Sequence, residues 1–149
     1  SDGGEHWNVT DGPSAGDNLM CVEMIDEQRW WVGDNDGAGL NFTLDGGDTW
    51  TARAFTVPTM TSEDIINDIM FLDEYIGFAV VTCTSGTGDR GAMMRTFDGG
   101  YTWETFLIDT DYDSDSPAGP YAVWACTPNL AYSVGDPIDA TGSIYTVSE

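Results

Sequence analysis

The sequence predicts an all-β fold made of repeated four-stranded antiparallel sheets, and three observations carry that expectation. First, an eight-residue unit recurs. Thr43-Leu44-Asp45-Gly46-Gly47-Asp48-Thr49-Trp50 returns as Thr96-Phe97-Asp98-Gly99-Gly100-Tyr101-Thr102-Trp103, and Ser1-Asp2-Gly3-Gly4-Glu5-His6-Trp7 is a third copy already in progress at the start of the chain. The tryptophans at 7, 50 and 103 are spaced by 43 and 53 residues, and self-similarity at such a period marks a repeat architecture. Second, a further pattern precedes each unit. Residues 25–34, Ile-Asp-Glu-Gln-Arg-Trp-Trp-Val-Gly-Asp, resemble residues 72–81 with one inserted residue, and both resemble Asn129–Asp136. Third, apolar residues alternate with period two between clusters of turn formers.

The strands follow in order. Strand A of the first complete unit spans about 19–25, with Val22 and Met24 on one face; their equivalents are Ile69 and Phe71, then Trp124 and Cys126. Strand B spans about 29–33 and carries Trp30 and Val32, matched by Phe78 with Val80 and by Tyr132 with Val134. Strand C, about 39–44, enters the eight-residue unit and strand D, about 50–56, leaves it. Ser62 to Met70 reads as a loop running into a strand, because its last part aligns with strand residues elsewhere. The alignment places Cys126 where Met24 and Phe71 stand, which predicts a buried, inert thiol. The methionines at 20, 24, 70, 93 and 94 follow the same alternation and read as packing residues.

The eight-residue unit has its own chemistry. Its aspartate can accept hydrogen bonds from backbone N–H groups just ahead of it. The Gly-Gly pair supplies the positive φ that a tight hairpin needs, and the tryptophan can bury a large ring against the sheet. The pattern Thr-x-Asp-Gly-Gly-x-Thr-Trp resembles the Asp-box of neuraminidase-type β-propellers. The combined unit is similar to the repeats of photosystem II assembly and stability factors. The resemblance covers nearly the whole chain and implies β-propeller blades in a single segment, 1–149: one blade at about 19–56, one at about 66–108, and one split between 121–149 and 1–7. It also makes the box residues architectural: Asp2, Gly3, Gly4 and Trp7; Asp45, Gly46, Gly47, Thr49 and Trp50; Asp98, Gly99, Gly100, Thr102 and Trp103. His6 stands where the box has threonine, and as the one histidine of the chain it has no visible catalytic partner.

Composition narrows the function. Four basic residues, Arg29, Arg53, Arg90 and Arg95, face 26 acidic ones, for a formal charge of −22. Such a surface repels phosphate backbones and anionic lipid, which argues against nucleic acid as a partner. The acidity fits high-salt solubility, divalent-cation binding or the solvation of a secreted protein. No apolar run approaches the roughly 20 residues of a membrane span, so no membrane insertion is expected. The chain starts at Ser1 without a signal peptide, which suggests a processed chain or a fragment. Cys21, Cys83 and Cys126 leave one thiol unpaired in a monomer, and their gaps of 62 and 43 residues match no metal motif. Asn8-Val9-Thr10 and Asn41-Phe42-Thr43 are glycosylation sequons if the chain is secreted by a eukaryote.

In an up-and-down blade the A–B turns and the boxes share one rim, and the B–C loops and D–A connections share the other. Variable polar loops on a rigid scaffold are where binding sites are built. This second rim gathers Asp34, Asp36, Asp89, Asp109, Asp111, Asp113, Asp115, Asp136 and Asp139, with Arg90, Tyr112 and Tyr121. Alternating carboxylates at Asp109, Asp111, Asp113 and Asp115 can supply several oxygens to calcium, although Ser114 and Pro120 stand where an EF-hand needs glycine and glutamate. The alternative is a solvated acidic loop.

A sialidase-like hydrolase needs converging arginines and a nucleophile pair. Three of the four arginines fall on expected strands, so catalysis is not expected. Three functions stay open: a non-catalytic module for protein assembly or for recognition at an extracellular or virion surface; a carbohydrate-binding propeller with Tyr112 and Tyr121 as its platform; and a fragment of a glycoside hydrolase. A periplasmic or luminal location and a high-salt environment fit the same composition. The chain end, Gly142 to Glu149, reads as a strand C that stops where Asp-Gly-Gly should follow, and Ser1-Asp2-Gly3-Gly4 resumes there. Head-to-tail pairing with a second copy, or the remaining blades of a longer chain, would then cover apolar faces such as those bearing Trp30 and Phe78.

Overall fold

Alternating residues form strands where the pattern places them. The computed structural model describes residues 3–13, 18–35, 39–53, 65–83, 90–107, 119–138 and 141–148. Among them there are eleven strands and no helix: β1 (Leu19–Met24), β2 (Trp30–Asp34), β3 (Leu40–Thr43), β4 (Thr51–Arg53), β5 (Ile65–Phe71), β6 (Gly77–Cys83), β7 (Arg90–Thr96), β8 (Glu104–Leu107), β9 (Pro120–Thr127), β10 (Leu130–Ile138) and β11 (Thr141–Ser148). They build three antiparallel sheets in sequence order, β1-β2-β3-β4, β5-β6-β7-β8 and β9-β10-β11. Residues 3–13 contain no strand. Gly3 and Gly4 nevertheless hold φ of 69° and 89°, close to the 74° and 95° of Gly46 and Gly47. Trp7 projects outward.

The register corrects the sequence alignment by one residue. Trp31 lies opposite Phe42, the residue before Thr43, and Phe78 lies opposite Arg95, the residue before Thr96. Trp31, not Trp30, is therefore the counterpart of Phe78, and no residue is inserted between the two repeats. Trp30 corresponds to Gly77. A one-residue shift carries every side chain of a strand to the other face. In the third sheet the shift is visible directly, because Val123 and Ala125 are buried where Trp124 and Cys126 were expected. Cys126 is exposed, contrary to expectation.

Two junctions hold the three sheets together. At the first, Trp31, Leu40 and Phe42 meet Ile69, Phe71, Ala79, Val81 and Met94. The Trp31 ring stacks on Phe71 with centroids 5.9 Å apart and planes 12° from parallel. It also lies against Gly100, where a Cβ would come within 2.5 Å of it. At the second, Phe78, Val80 and Met93, flanked by Met70, meet Val123, Ala125 and Ala131. Phe78 is thus fully covered by the third sheet and is not on an open face. Each large side chain so buried contributes about 1.5–3 kcal/mol. Polar clasps fix the sliding coordinate: Phe71 N donates to Glu23 Oε1 at 2.9 Å, and Val123 N donates to Asp68 Oδ2 at 2.9 Å.

The two described thiols differ in kind. Cys21 is half-buried and donates weakly to the Ile66 carbonyl, and burial pushes its thiol up to about 12. Since the thiolate is the reactive form, a thiol reagent at neutral pH should modify Cys126 roughly tenfold or more faster than Cys21 in the folded protein. Time-resolved labelling of Cys126→Ser should lose one fast thiol, and Cys21→Ser should lose none.

Candidate functional site

The site is built on the boxes at 43–50 and 96–103, and each of these two is organised by a buried threonine hydroxyl. Thr43 Oγ1 accepts from Gly47 N at 3.0 Å and Asp45 N at 3.2 Å, and donates to Asp45 Oδ1 at 2.7 Å. The carboxylate of Asp45 then accepts from Thr49 N at 2.8 Å and Thr49 Oγ1 at 2.6 Å. The second box repeats this set. Thr96 Oγ1 accepts from Gly100 N at 2.9 Å and donates to Asp98 Oδ1 at 2.9 Å, and Asp98 accepts from Thr102 N at 2.8 Å and Thr102 Oγ1 at 2.6 Å. Trp103 is half-buried, with its ring edge toward Phe71 and its Nε1 on Gly100 O. Trp50 packs on Trp30 and donates to Asp11 O.

The hydroxyl and amide of Thr49, with the Thr43 hydroxyl, hold the Asp45 carboxyl down at about 2, from a usual 3.8. Burial pulls the Asp98 carboxyl upward, but the bonds from Thr102 and Thr96 outweigh it and leave it below the ordinary range.

A second aspartate repeats in the A–B turn, and its role was not assigned from the sequence. Asp26 Oδ1 accepts from Gln28 N and Arg29 N, and Asp73 Oδ1 accepts from Tyr75 N and Ile76 N, all at 2.8–2.9 Å. The turn so capped presents a carbonyl to the box: Gly46 N donates to Gln28 O at 2.9 Å, and Gly99 N to Tyr75 O at 2.8 Å. The turns and boxes therefore share a rim. The signal was present in the sequence, since Asp26-Glu27 and Asp73-Glu74 recur at the same place in the aligned pattern.

On this rim a cleft of about 230 Å³ opens between the first and second sheets, lined by Arg29, Trp31, Phe42, Arg53, Glu74, Tyr75, Asp98 and Tyr101 among others. The Arg53 guanidinium sits between two rings, 5.0 Å from the Phe42 centroid and 4.4 Å from that of Tyr101. Its Nε is buried with no hydrogen-bond partner among the described residues. Arg29 donates to Asp26 and, across the junction, to Glu74, both at 2.8 Å; Glu74 and then Asp26 stabilise its charge.

No family model matches the sequence, and no curated protein matches it. Among solved structures, YCF48 bound to a D1 peptide superposes with a TM-score of 0.66 at 23% identity, over 93% of this chain and 40% of that one. YCF48 from Cyanidioschyzon merolae gives a TM-score of 0.56 at 21% identity, over 91% and 39%. This chain folds as part of a β-propeller. The propeller segment spans about two-fifths of the length of those structures, and its three sheets are blades.

The other rim of the propeller holds what is described of the sequence-derived binding residues. Asn35 N donates to Asn18 O there, tying a B–C loop to the entry of strand A. Asp34 is not displayed as a rim acid. It is 3% exposed, with its carboxylate turned inward onto Gly39 N at 2.8 Å and the Asn41 amide at 3.3 Å. Its bonds to the Gly39 amide and the Asn41 side chain hold it inward. Tyr121 is exposed on β9, and Arg90 begins β7 opposite Cys83. Asp2, Asp36, Asp89, Tyr112, and the candidate calcium ligands Asp109, Asp111, Asp113 and Asp115, lie outside the described residues. Among the described residues no group of three His, Cys, Asp or Glu is placed to hold a metal ion. No described helix is long and apolar enough to cross a membrane.

Two stability measurements test the box. Replacing the buried Thr43 by Val removes an acceptor from two backbone amides and should cost about 1–3 kcal/mol in denaturant unfolding. The folded-state Asp45 value lies below the unfolded one, so its ionised form stabilises the fold above pH of about 4, and that contribution is lost as the pH falls through about 2. The Tm difference between wild type and Asp45→Asn should be present at neutral pH and close over that window.

Proposed function

We propose that this propeller is a non-catalytic module of protein assembly that takes a segment of a protein partner in the cleft between its first and second blades. The carrying observation is Arg53. It is a cation held in place by the rings of Phe42 and Tyr101, with donor capacity unused at a buried Nε. Arg53 as a whole is half-buried, and an extended peptide offers backbone carbonyls to the accessible part of its guanidinium and side chains to the surrounding rings. Pre-oriented cation–aromatic stacks and exposed tyrosines are what protein-recognition surfaces favour. Tyr75 and Tyr101 stand at the mouth of the cleft, exposed. The peptide carried by one of the similar structures supports the same reading.

The acids of the cleft argue for binding over catalysis. A general acid needs a carboxyl whose pKa is raised toward the working pH, whereas Asp98 is held below the ordinary range by threonine donors. Glu74 is engaged by Arg29. His6, on the segment 3–13, is not among the residues lining the cleft.

Fluorescence of the cleft tryptophan, Trp31, and parallel peptide and glycan arrays test this proposal. Peptides should bind, and Arg53→Gln and Tyr101→Ala should each weaken binding about tenfold, which corresponds to about 1.4 kcal/mol, with Tm little changed for Tyr101→Ala. Hits confined to the glycan array would favour a carbohydrate-binding propeller. Peptide binding untouched by both substitutions would place the site elsewhere.

A further inference from the structure

Both internal junctions follow one rule. A strand-B aromatic on the forward face of one blade lands on two strand-A positions on the rear face of the next. Trp31 lands on the pair Ile69 and Phe71, and Phe78 lands on Val123 and Ala125. The register makes these positions equivalent, since Trp31 lies opposite Glu23, Phe78 opposite Met70 and Tyr132 opposite Trp124. The same rule leaves two faces open. The forward face of the third blade presents Trp124, Tyr132 and Val134, which are 67%, 39% and 50% exposed. The rear face of the first blade presents Val22 and Met24, the counterparts of Ile69 and Phe71, at 59% and 54%.

We propose that these two faces are complementary and that the forward face of one copy packs on the rear face of a second. The rear face is already shaped for this. A groove of about 330 Å³ runs between β1 and residues Thr10–Gly12, lined by Met20, Val22, Trp30, Val32 and Trp50. At the first junction the incoming Trp31 rests on Gly100, whereas in the first blade that slot over the equivalent Gly47 is filled from within by Trp30. The landing surface that remains is the strand-A pair, the feature shared by both internal junctions. Two copies together bring six blades, within the roughly four to eight with which propellers close. The contact is heterologous, because two different patches meet.

Charge sets the conditions. Each copy carries −22, and none of the five named landing residues is ionisable at neutral pH. The long-range term is therefore purely repulsive and the contact term apolar. Salt shortens the reach of the repulsion to about 3 Å at 1 M and leaves the apolar contact in place, so association strengthens as salt rises. An association carried by ion pairs would weaken instead.

The test is light scattering on the full chain over a concentration series at low and high salt, with single-face variants. Wild type should reach the mass of two chains, at lower concentration in high salt. Val22→Glu and Trp124→Glu should each be folded by circular dichroism and shifted strongly toward monomer, because every closed pair uses both faces of each copy. An equimolar mixture of the two should recover pairs, weaker than wild type and held by one junction, since the intact forward face of the first meets the intact rear face of the second while the other junction carries both substitutions. If Val22→Glu fails to fold, Met24→Glu takes its place. A wild-type chain that stays monomeric at all concentrations and salts overturns the proposal and leaves these faces to other blades or another protein. So does a Val22→Glu chain that still pairs as strongly as wild type, which would mean like faces meet, and so does a mixture that recovers nothing. None of these outcomes depends on the peptide cleft, which lies between the first and second blades.

Discussion

The position of one hydroxyl in each of the first two blades determines most of their structure. Thr43 and Thr96 end strand C, are buried to the last per cent, and hold the N–H groups of the residues two and four further on. That bond set leaves the following Gly-Gly pair with positive φ as its way round the turn. It thereby fixes the path of the chain from strand C into strand D. The box then reaches the A–B turn through a glycine N–H, so all four strands of a blade are locked in one register. Only in that register do Trp31 and Phe78 point at the next blade. Local turn chemistry is thus what makes long-range packing possible.

Scarce positive charge is placed with the same economy. The three arginines whose side chains are described each bridge two blades. Arg29 pairs with Glu74 across the first junction and Arg53 packs on Tyr101 across the same one. Arg95 donates to the Pro128 carbonyl across the second, while pairing with Glu104 on its own blade and lying over Phe97. The exposed Arg29 pair contributes little by itself, as surface ion pairs do. Arg95 differs, because its side chain is 4% exposed and removing a partner from a buried charge is costly. In so acidic a chain, these junctions gather the cations that neutralise it locally.

Much of this was legible in the sequence, and the exceptions have physical causes. The order of strands follows from local patterns, and the structure shows it. The register of strand B did not follow, because Trp30 and Trp31 are both large and aromatic and alternation alone cannot choose between them. The hydrogen bonds that choose come from strand C. Cys126 was misplaced by the same slip, in a repeat whose A–B turn, around Pro128 and Asn129, is tighter than the others. Asp34 reads as a surface acid by type, yet the Asn41 amide and the Gly39 N–H make its burial tolerable. The cleft was invisible for a different reason. Arg53 and Tyr101 belong to different blades, and only the stacking of whole sheets brings them together.

The middle blade is the one covered on both faces, by the first blade on one side and the third on the other. In an array where each unit touches only its neighbours, cooperativity spreads from the best-covered unit outward. The amide protons of β5, β6 and β7 therefore belong to the slowest-exchanging set, and opening starts at the flanks. A chain built this way has a graded rather than a uniform resistance to unfolding. Its outer blades open first, while the central one keeps the register from which they re-form.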